Sequence, residues 1–198
     1  MVEFAHLFSV FDGSRVHQQF EKTFSPDEAP PGLYFTVINT PLIQSSRKNR
    51  LGIYTDERNE TDLFIDSLHI DRFFLNKQQT PPTMGTVTFA LCAITAHLAG
   101  LSQISLLAAG GKRFNNRYVG YKVWPKFGFD APLLPDETVN APHLAYCRSV
   151  QDVMAEDIAW WEEQGGQRLM TFDLTAHSTS WQRLLLYIDR KLSEERFP

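Results

Sequence analysis

The run from Leu63 to Phe129 constrains this chain most, because it sets a strand, a helix and a second strand in immediate succession and closes on an aromatic turn. LFIDSLHI reads as a strand, MGTVTFALCAITAHLAG as a helix, QISLLAA as the next strand, and NNRYVGYKVWPKFGFD as a short helix with a sharp exit. Gln103 to Ala109 is nearly all apolar, the pattern of a strand covered on both faces, and Gly110-Gly111 breaks it. A strand of that kind directly after a helix favours a parallel crossover, the geometry of a βαβ unit. If the chain does chemistry, its cofactor is expected here.

The helix spans about Thr86 to Ala99. Val87, Leu91, Ile94 and Leu98 form one stripe, while Ala90, Ala93, Ala96 and Ala99 allow close approach to a sheet. Gly100 suits the residue just past the helix end. Upstream, Val16, Phe20 and Phe24 recur every four residues, so Arg15 to Phe24 reads as a helix closed by Ser25 and Pro26. LYFTVIN and LGIYT then read as strands, which makes Leu33 to Ile70 a three-stranded meander. Downstream, Pro132, Pro135 and Pro142 loosen the chain. Ser149 can cap one helix bearing Val153, Met154, Ile158 and Trp161, ended by Gly165-Gly166. RLMTFDL follows as a strand, and Ser180 can cap a last helix with Leu184, Leu185, Ile188 and Leu192. The expected fold is α/β in one domain over 1–198, with a core at about 33–130 and a C-terminal helix-strand-helix extension at about 143–198.

With 198 residues, 43% of them hydrophobic, the chain can bury one sizeable core and is too short for two ordinary enzyme domains. A formal charge of -4 argues against a dominant nucleic-acid footprint, and Arg47, Lys48 and Arg50 read as a solvated loop. No apolar run approaches the roughly 20 residues that cross a bilayer, and the expected compartment is the cytoplasm. Cys92 and Cys147 make neither a disulfide framework nor a CxxC site and read as small buried hydrophobes. The six histidines are scattered without HExxH or other ligand spacing, so no metal is expected. His97 reads as a partner for the helix C-terminal dipole. AHSTS at 176–180 reads as a loop and cap rather than a hydrolase nucleophile, and Gly110-Gly111-Lys112 lacks phosphate-loop spacing.

The order of meander, Gly-opened helix and apolar strand, followed by Asn116 and WPKFGF, resembles the GNAT (Gcn5-related N-acetyltransferase) superfamily over about Leu33 to Asp130. The resemblance implies a central mixed sheet flanked by helices. It also implies transfer of an acyl group from acetyl-CoA or another acyl-CoA to an amine of a small molecule or protein, by direct attack. Gly85 then takes the last position of the family's Gln/Arg-x-x-Gly-x-Gly/Ala loop, with Thr80 where Gln or Arg is usual, Thr83 where the first Gly is usual, and Pro81 and Pro82 within it. The amides of Thr83, Met84, Gly85 and Thr86 would hold the pyrophosphate, a role that suits the positive end of a helix, and Arg72 or Lys77 could add charge. The strand end at Leu68 and Ile70 would flank the pantetheine arm together with QISLLAA, and Asn116 stands at the family's Asn turn.

Trp124 occupies the place of the usual tyrosine and cannot protonate a leaving thiolate, so Tyr118 or Tyr121 would serve as acid. His69 or Asp66 would be the base; three apart on a strand, they point to opposite faces, so at most one meets the substrate. A homodimer is a further expectation. Adjacent Trp160 and Trp161 cannot both face one core, and they and Trp181 are candidates for a partner contact or for packing of the extension. The rival readings are a non-catalytic binding or assembly module, an acyltransferase with a donor other than CoA, and an effector or toxin domain.

Overall fold

Six strands align side by side in chain order: β1 (Arg15–Glu21), β2 (Gly32–Ile38), β3 (Asn49–Asp56), β4 (Ile65–Arg72), β5 (Gln103–Gly111) and β6 (Gly166–Asp173). The computed structural model describes residues 13–43, 48–56, 65–112, 114–115 and 117–196. All neighbours are antiparallel except β4 and β5, which are parallel. Helix α1 (Met84–Leu98) makes the crossover between that pair, α2 (Gly120–Lys126) follows β5, α3 (Val150–Glu156) and α4 (Ile158–Gln164) precede β6, and α5 (Thr179–Arg196) follows it. The chain is therefore α/β with a mixed sheet, and the strand RLMTFDL is part of that sheet rather than an appendage, since β6 pairs with β5 from Gln103↔Asp173 onward.

Strand register divides the sheet into two faces. On one lie Leu33, Phe35, Leu51, Leu68, Ile70, Ile104, Leu106, Met170 and Phe172, matched across the ladders and joined in the core with Phe89, Cys92, Ala93 and Ala96 of α1. Phe89 stands 5.5 Å from Phe172, and Trp181 of α5 stands 5.3 Å from Phe172 on the same side. The other face carries Tyr34, Gly52, His69, Ser105 and Thr171 in one row across five strands. Gly52 is required there: a Cβ on it would meet the Tyr34 ring at 2.4 Å.

Several expectations from the sequence are corrected. Arg15 to Phe24 does not form a helix. Arg15–Glu21 is a strand, and Phe20 and Phe24 are exposed; a spacing of four between Val16 and Phe20 satisfies period 2 as well as period 3.6, and pairing with β2 decides the outcome. The stripe of Val87, Leu91, Ile94 and Leu98 faces outward, at 46%, 54%, 45% and 79% exposure. The side expected to approach a sheet does so through Ala93 and Ala96, which are buried beside Phe89 and Cys92, and the small side chains among these four let the helix lie close on the sheet. The single helix expected after Ser149 is two helices, broken at Asp157, whose φ of -148° leaves the helical region and whose side chain accepts from the Trp160 N–H to start α4. Ser149 does cap α3, in a capping box with Asp152. Ser180 does not cap α5: its Oγ accepts from the Asp173 N–H at 3.0 Å, while the Ser178 Oγ takes the Trp181 N–H. Leu184 is buried, whereas Leu185 and Leu192 are exposed.

Arg50 is not part of a solvated basic loop, since it bonds Asp71 at 2.8 Å and also pairs with Glu21; Arg47 lies outside the described residues. Cys92 and Cys147 are free and buried. His97 sits in the last turn of α1 and hydrogen-bonds the Leu174 carbonyl through Nδ1 at 2.8 Å. Trp161 is fully buried and its indole N–H donates to the Tyr121 carbonyl, while Trp160 and Trp181 are half-buried against the same core.

Candidate functional site

The parallel pair β4–β5 is registered over three positions only, Leu68↔Ile104, His69↔Ser105 and Ile70↔Leu106. Beyond them each strand continues with its other neighbour, β4 with β3 to Arg72 and β5 with β6 to Gly111. Beside the end of the ladder, Leu51 pairs with Ile70 and Arg50 with Arg72 in the register with β3, so Asp71 is an extra residue bulged out of β4. A bulge bends its strand and re-aims the residues beyond it. Asp71 is locked in that position by Arg50, which also lies over the Tyr34 ring at 4.0 Å. The parallel ladder thus ends at Ile70↔Leu106, and the place where the two strands part is called the wedge below.

Rings stand at one side of the wedge. Phe73, just past β4, contacts Trp124 of α2 with centroids 6.0 Å apart, and Trp124 also touches Phe89, Phe127 and Phe129 at 5.2 to 5.7 Å. On the β5 side, Gly110 has φ +108° and bridges to Val119, so closely that a Cβ there would fall 2.0 Å from the Tyr118 carbonyl oxygen. This close approach sets where α2 starts.

Helix α1 begins after the loop that leads on from Phe73. Thr83, at its N-cap, has helical backbone angles and makes no side-chain cap bond. The Met84 amide is taken by the Pro81 carbonyl at 3.0 Å, whereas the amides of Gly85 and Thr86 have no acceptor among the described residues. Thr86 is buried at 8%, and Thr80 is committed to a local turn, its Oγ1 and amide both bonding the Asn76 carbonyl. A Cβ on Gly85 would meet only Leu75 Cδ1, at 3.5 Å. The fold therefore has no use for a glycine at 85.

The side chains of Leu68 and Ile70 are in the core, 0% and 3% exposed, so only their backbone can border the wedge. Asp66 and His69 lie on opposite faces, as their spacing requires. Asp66 is exposed and its Oδ1 accepts from the Thr55 hydroxyl at 3.1 Å. His69 is 2% exposed, its Nδ1 2.9 Å from Ser105 Oγ, which also lies 3.0 Å from the Tyr54 hydroxyl. Burial, opposed by Asp71 and aided by Arg50, lowers the imidazole to about 4. Neutral His69 is thus part of a closed polar triad rather than open to a substrate. Tyr121 is 7% exposed and its hydroxyl donates to the Glu162 carbonyl at 3.0 Å, whereas Tyr118 is half-buried just before α2, next to the wedge. Asn116 lies outside the described residues.

Ser105 and Tyr54 were not singled out from the sequence. The one available signal was a lone hydroxyl within the otherwise apolar ISLLAA, which parallel pairing sets beside His69. Among the described residues no group of three His, Cys, Asp or Glu side chains is placed to hold a metal ion. No helix among them is long and apolar enough to cross a membrane. The sequence matches no family model, and no curated protein matches it.

Proposed function

We propose that this chain binds an acyl-CoA at the wedge between β4 and β5 and transfers the acyl group to an amine, in the manner of the GNAT superfamily it resembles. The observation that carries the reading is the early end of the parallel pair at Ile70↔Leu106 with the Asp71 bulge beside it. An extended pantetheine arm carries amides of its own, and backbone released from a ladder is the partner such amides need. The free amides of Gly85 and Thr86 at the start of α1 suit the pyrophosphate. Proton donation to the departing thiolate is assigned to Tyr118, which is half-buried just before α2, while the Tyr121 hydroxyl donates to the Glu162 carbonyl. With His69 buried and Asp66 at the opposite end of β4 from the wedge, an ordered water is left to take the proton of the amine. The acceptor is an amine of a small molecule or protein.

Gly85→Ala tests this reading. The glycine is not needed by the fold, so the variant is expected to melt at or slightly above the wild-type temperature. The added methyl would stand where a phosphate must approach, and CoA affinity is expected to fall at least tenfold by calorimetry. A wild-type protein that gives no thermal shift with millimolar CoA or acetyl-CoA overturns the proposal, since a ligand at a hundred times its dissociation constant stabilises by roughly 2.7 kcal/mol.

A second reading, a binding module without turnover, is favoured by the Phe73–Trp124 contact beside the wedge and by an indole where a phenol is usual. CoA binding without acetylation of any of a panel of polyamines and peptide amines would select it.

A further inference from the structure

The two edges of the sheet are treated differently. Along β6 the chain itself adds a partner, because Asp130 and Thr171 exchange both backbone hydrogen bonds at 2.9 Å. Strand β1 pairs on its inner side with β2 over seven residues, and no described strand lies on its outer side. All its residues except Glu21 are exposed, including Val16 at 36% and Phe20 at 65%. It contains no proline, glycine or bulge, the devices by which edges are usually blunted.

We propose that the outer edge of β1 seats a second copy of this chain, antiparallel, about a two-fold axis through Gln18. The strand is self-complementary in that register and in no neighbouring one. Residues whose numbers sum to twice eighteen face each other, so Arg15 stands opposite the partner's Glu21 and Val16 opposite the partner's Phe20. Gln18 meets the partner's Gln18. Moving the axis by one residue sets Phe20 against the partner's Ser14 or the partner's Gln18 and separates the charges. Opposite charges and an aromatic facing a β-branched residue are the cross-strand pairs that stabilise antiparallel ladders.

The charges are also ready for the pairing. Glu21 is held by Arg50 within its own chain, so its carboxylate is fixed before association, and Arg15 has no ion pair among the described residues. An isologous contact closes on itself and gives a dimer with one continuous sheet. The apolar rows of the two copies share a face, the one that carries Leu33 and Phe35.

Sedimentation velocity on the full chain, at concentrations up to about 100 μM, tests the proposal. A concentration-dependent dimer is expected, with Arg15→Glu and Phe20→Lys each weakening it at least tenfold while circular dichroism, and melting at concentrations where the wild type is monomeric, stay unchanged. Gln18→Cys is expected to form a disulfide-linked dimer under mild oxidation, with the buried Cys92 and Cys147 silent. A monomer throughout that range overturns the proposal. So does a dimer that ignores both substitutions, or one in which Gln18→Cys stays reduced. A dimer abolished by Leu91→Lys instead assigns the contact to the outward stripe of α1 and likewise refutes the β1 edge.

Discussion

His69 shows how a single side chain couples this fold to pH. Burial holds the imidazole at about 4 in the folded chain, against about 6.5 when unfolded. Between those values the unfolded chain binds the extra proton, so stability present above pH 6.5 is lost as the pH falls toward 4. His69→Gln keeps a hydrogen-bonding group for Ser105 and removes the titration. Between pH 6.5 and 4, the wild type is expected to lose about 3 kcal/mol more than the variant in urea unfolding. Parallel curves would show that His69 is not held neutral by the fold.

Two glycines make the complementary point. Gly52→Ala drives a methyl into the Tyr34 ring, whose hydroxyl is tied to the Pro30 carbonyl at 2.7 Å, and is expected to destabilise by about 1–3 kcal/mol. Gly85→Ala is expected to leave stability equal or raised. Thermal melts of the pair separate a glycine demanded by packing from one the fold can spare.

Elements are held in place by a few side-chain bonds at their ends. Ser149 and Asp152 close a capping box on α3, and Gln151 in the same turn donates to the carbonyls of Pro125 and Phe129 at 2.7 and 2.8 Å. This is how α3 grips the exit of α2, and so the position of Trp124. Ser149→Ala is expected to cost about 1 kcal/mol in chemical denaturation. Gln151→Leu, which takes the side-chain donor from the Phe129 carbonyl and leaves the Pro125 carbonyl only the Gly128 N–H, is expected to cost more, about 1–3 kcal/mol. Equal effects would mean that the cap, not the glutamine, anchors α3. At β4 the Asp71 bulge stands where the parallel pairing ends, one residue past Ile70.

Across the molecule, the connection between α2 and β6 is stapled by one ion pair. Arg168 is 9% exposed, bonds both carboxylate oxygens of Glu137, donates to the carbonyls of Pro132 and Gly166 at 3.3 Å, and lies over the Trp161 ring at 4.8 Å. Glu137→Ala leaves the guanidinium buried without its counter-charge and is expected to destabilise by about 3–5 kcal/mol in urea. Adding Arg168→Met is expected to recover most of that loss, because the stranded charge is then gone. A double variant as unstable as the single one would show that the loop needs the ion pair itself.

The strand-helix-strand order from Ile65 on and the parallel crossover were legible because length, apolar runs and glycine punctuation are local properties of the chain, while Leu63 and Phe64 lie outside the described residues. So was the capping of α3, where Ser149 and Asp152 lie three residues apart. What the sequence left open was every choice between two local patterns of equal quality. Val16 and Phe20 fit a helix or a strand, and only pairing with β2 chose. On helix α1 the alanines already marked the side that approaches the sheet, whereas the burial of Phe89 beside them was set by the sheet surface. The site obeys the same division. The helix start near Gly85 was visible in the sequence, but the one-residue register slip between β3 and β4 and the end of the parallel ladder beside it were not. The fate of His69 depends on Ser105 and Tyr54, which lie far from it in sequence. Periodicity carries which residues belong to one element; which face is buried, where two strands part and which polar group loses its water are set by neighbours distant along the chain, and only the tertiary structure decided them.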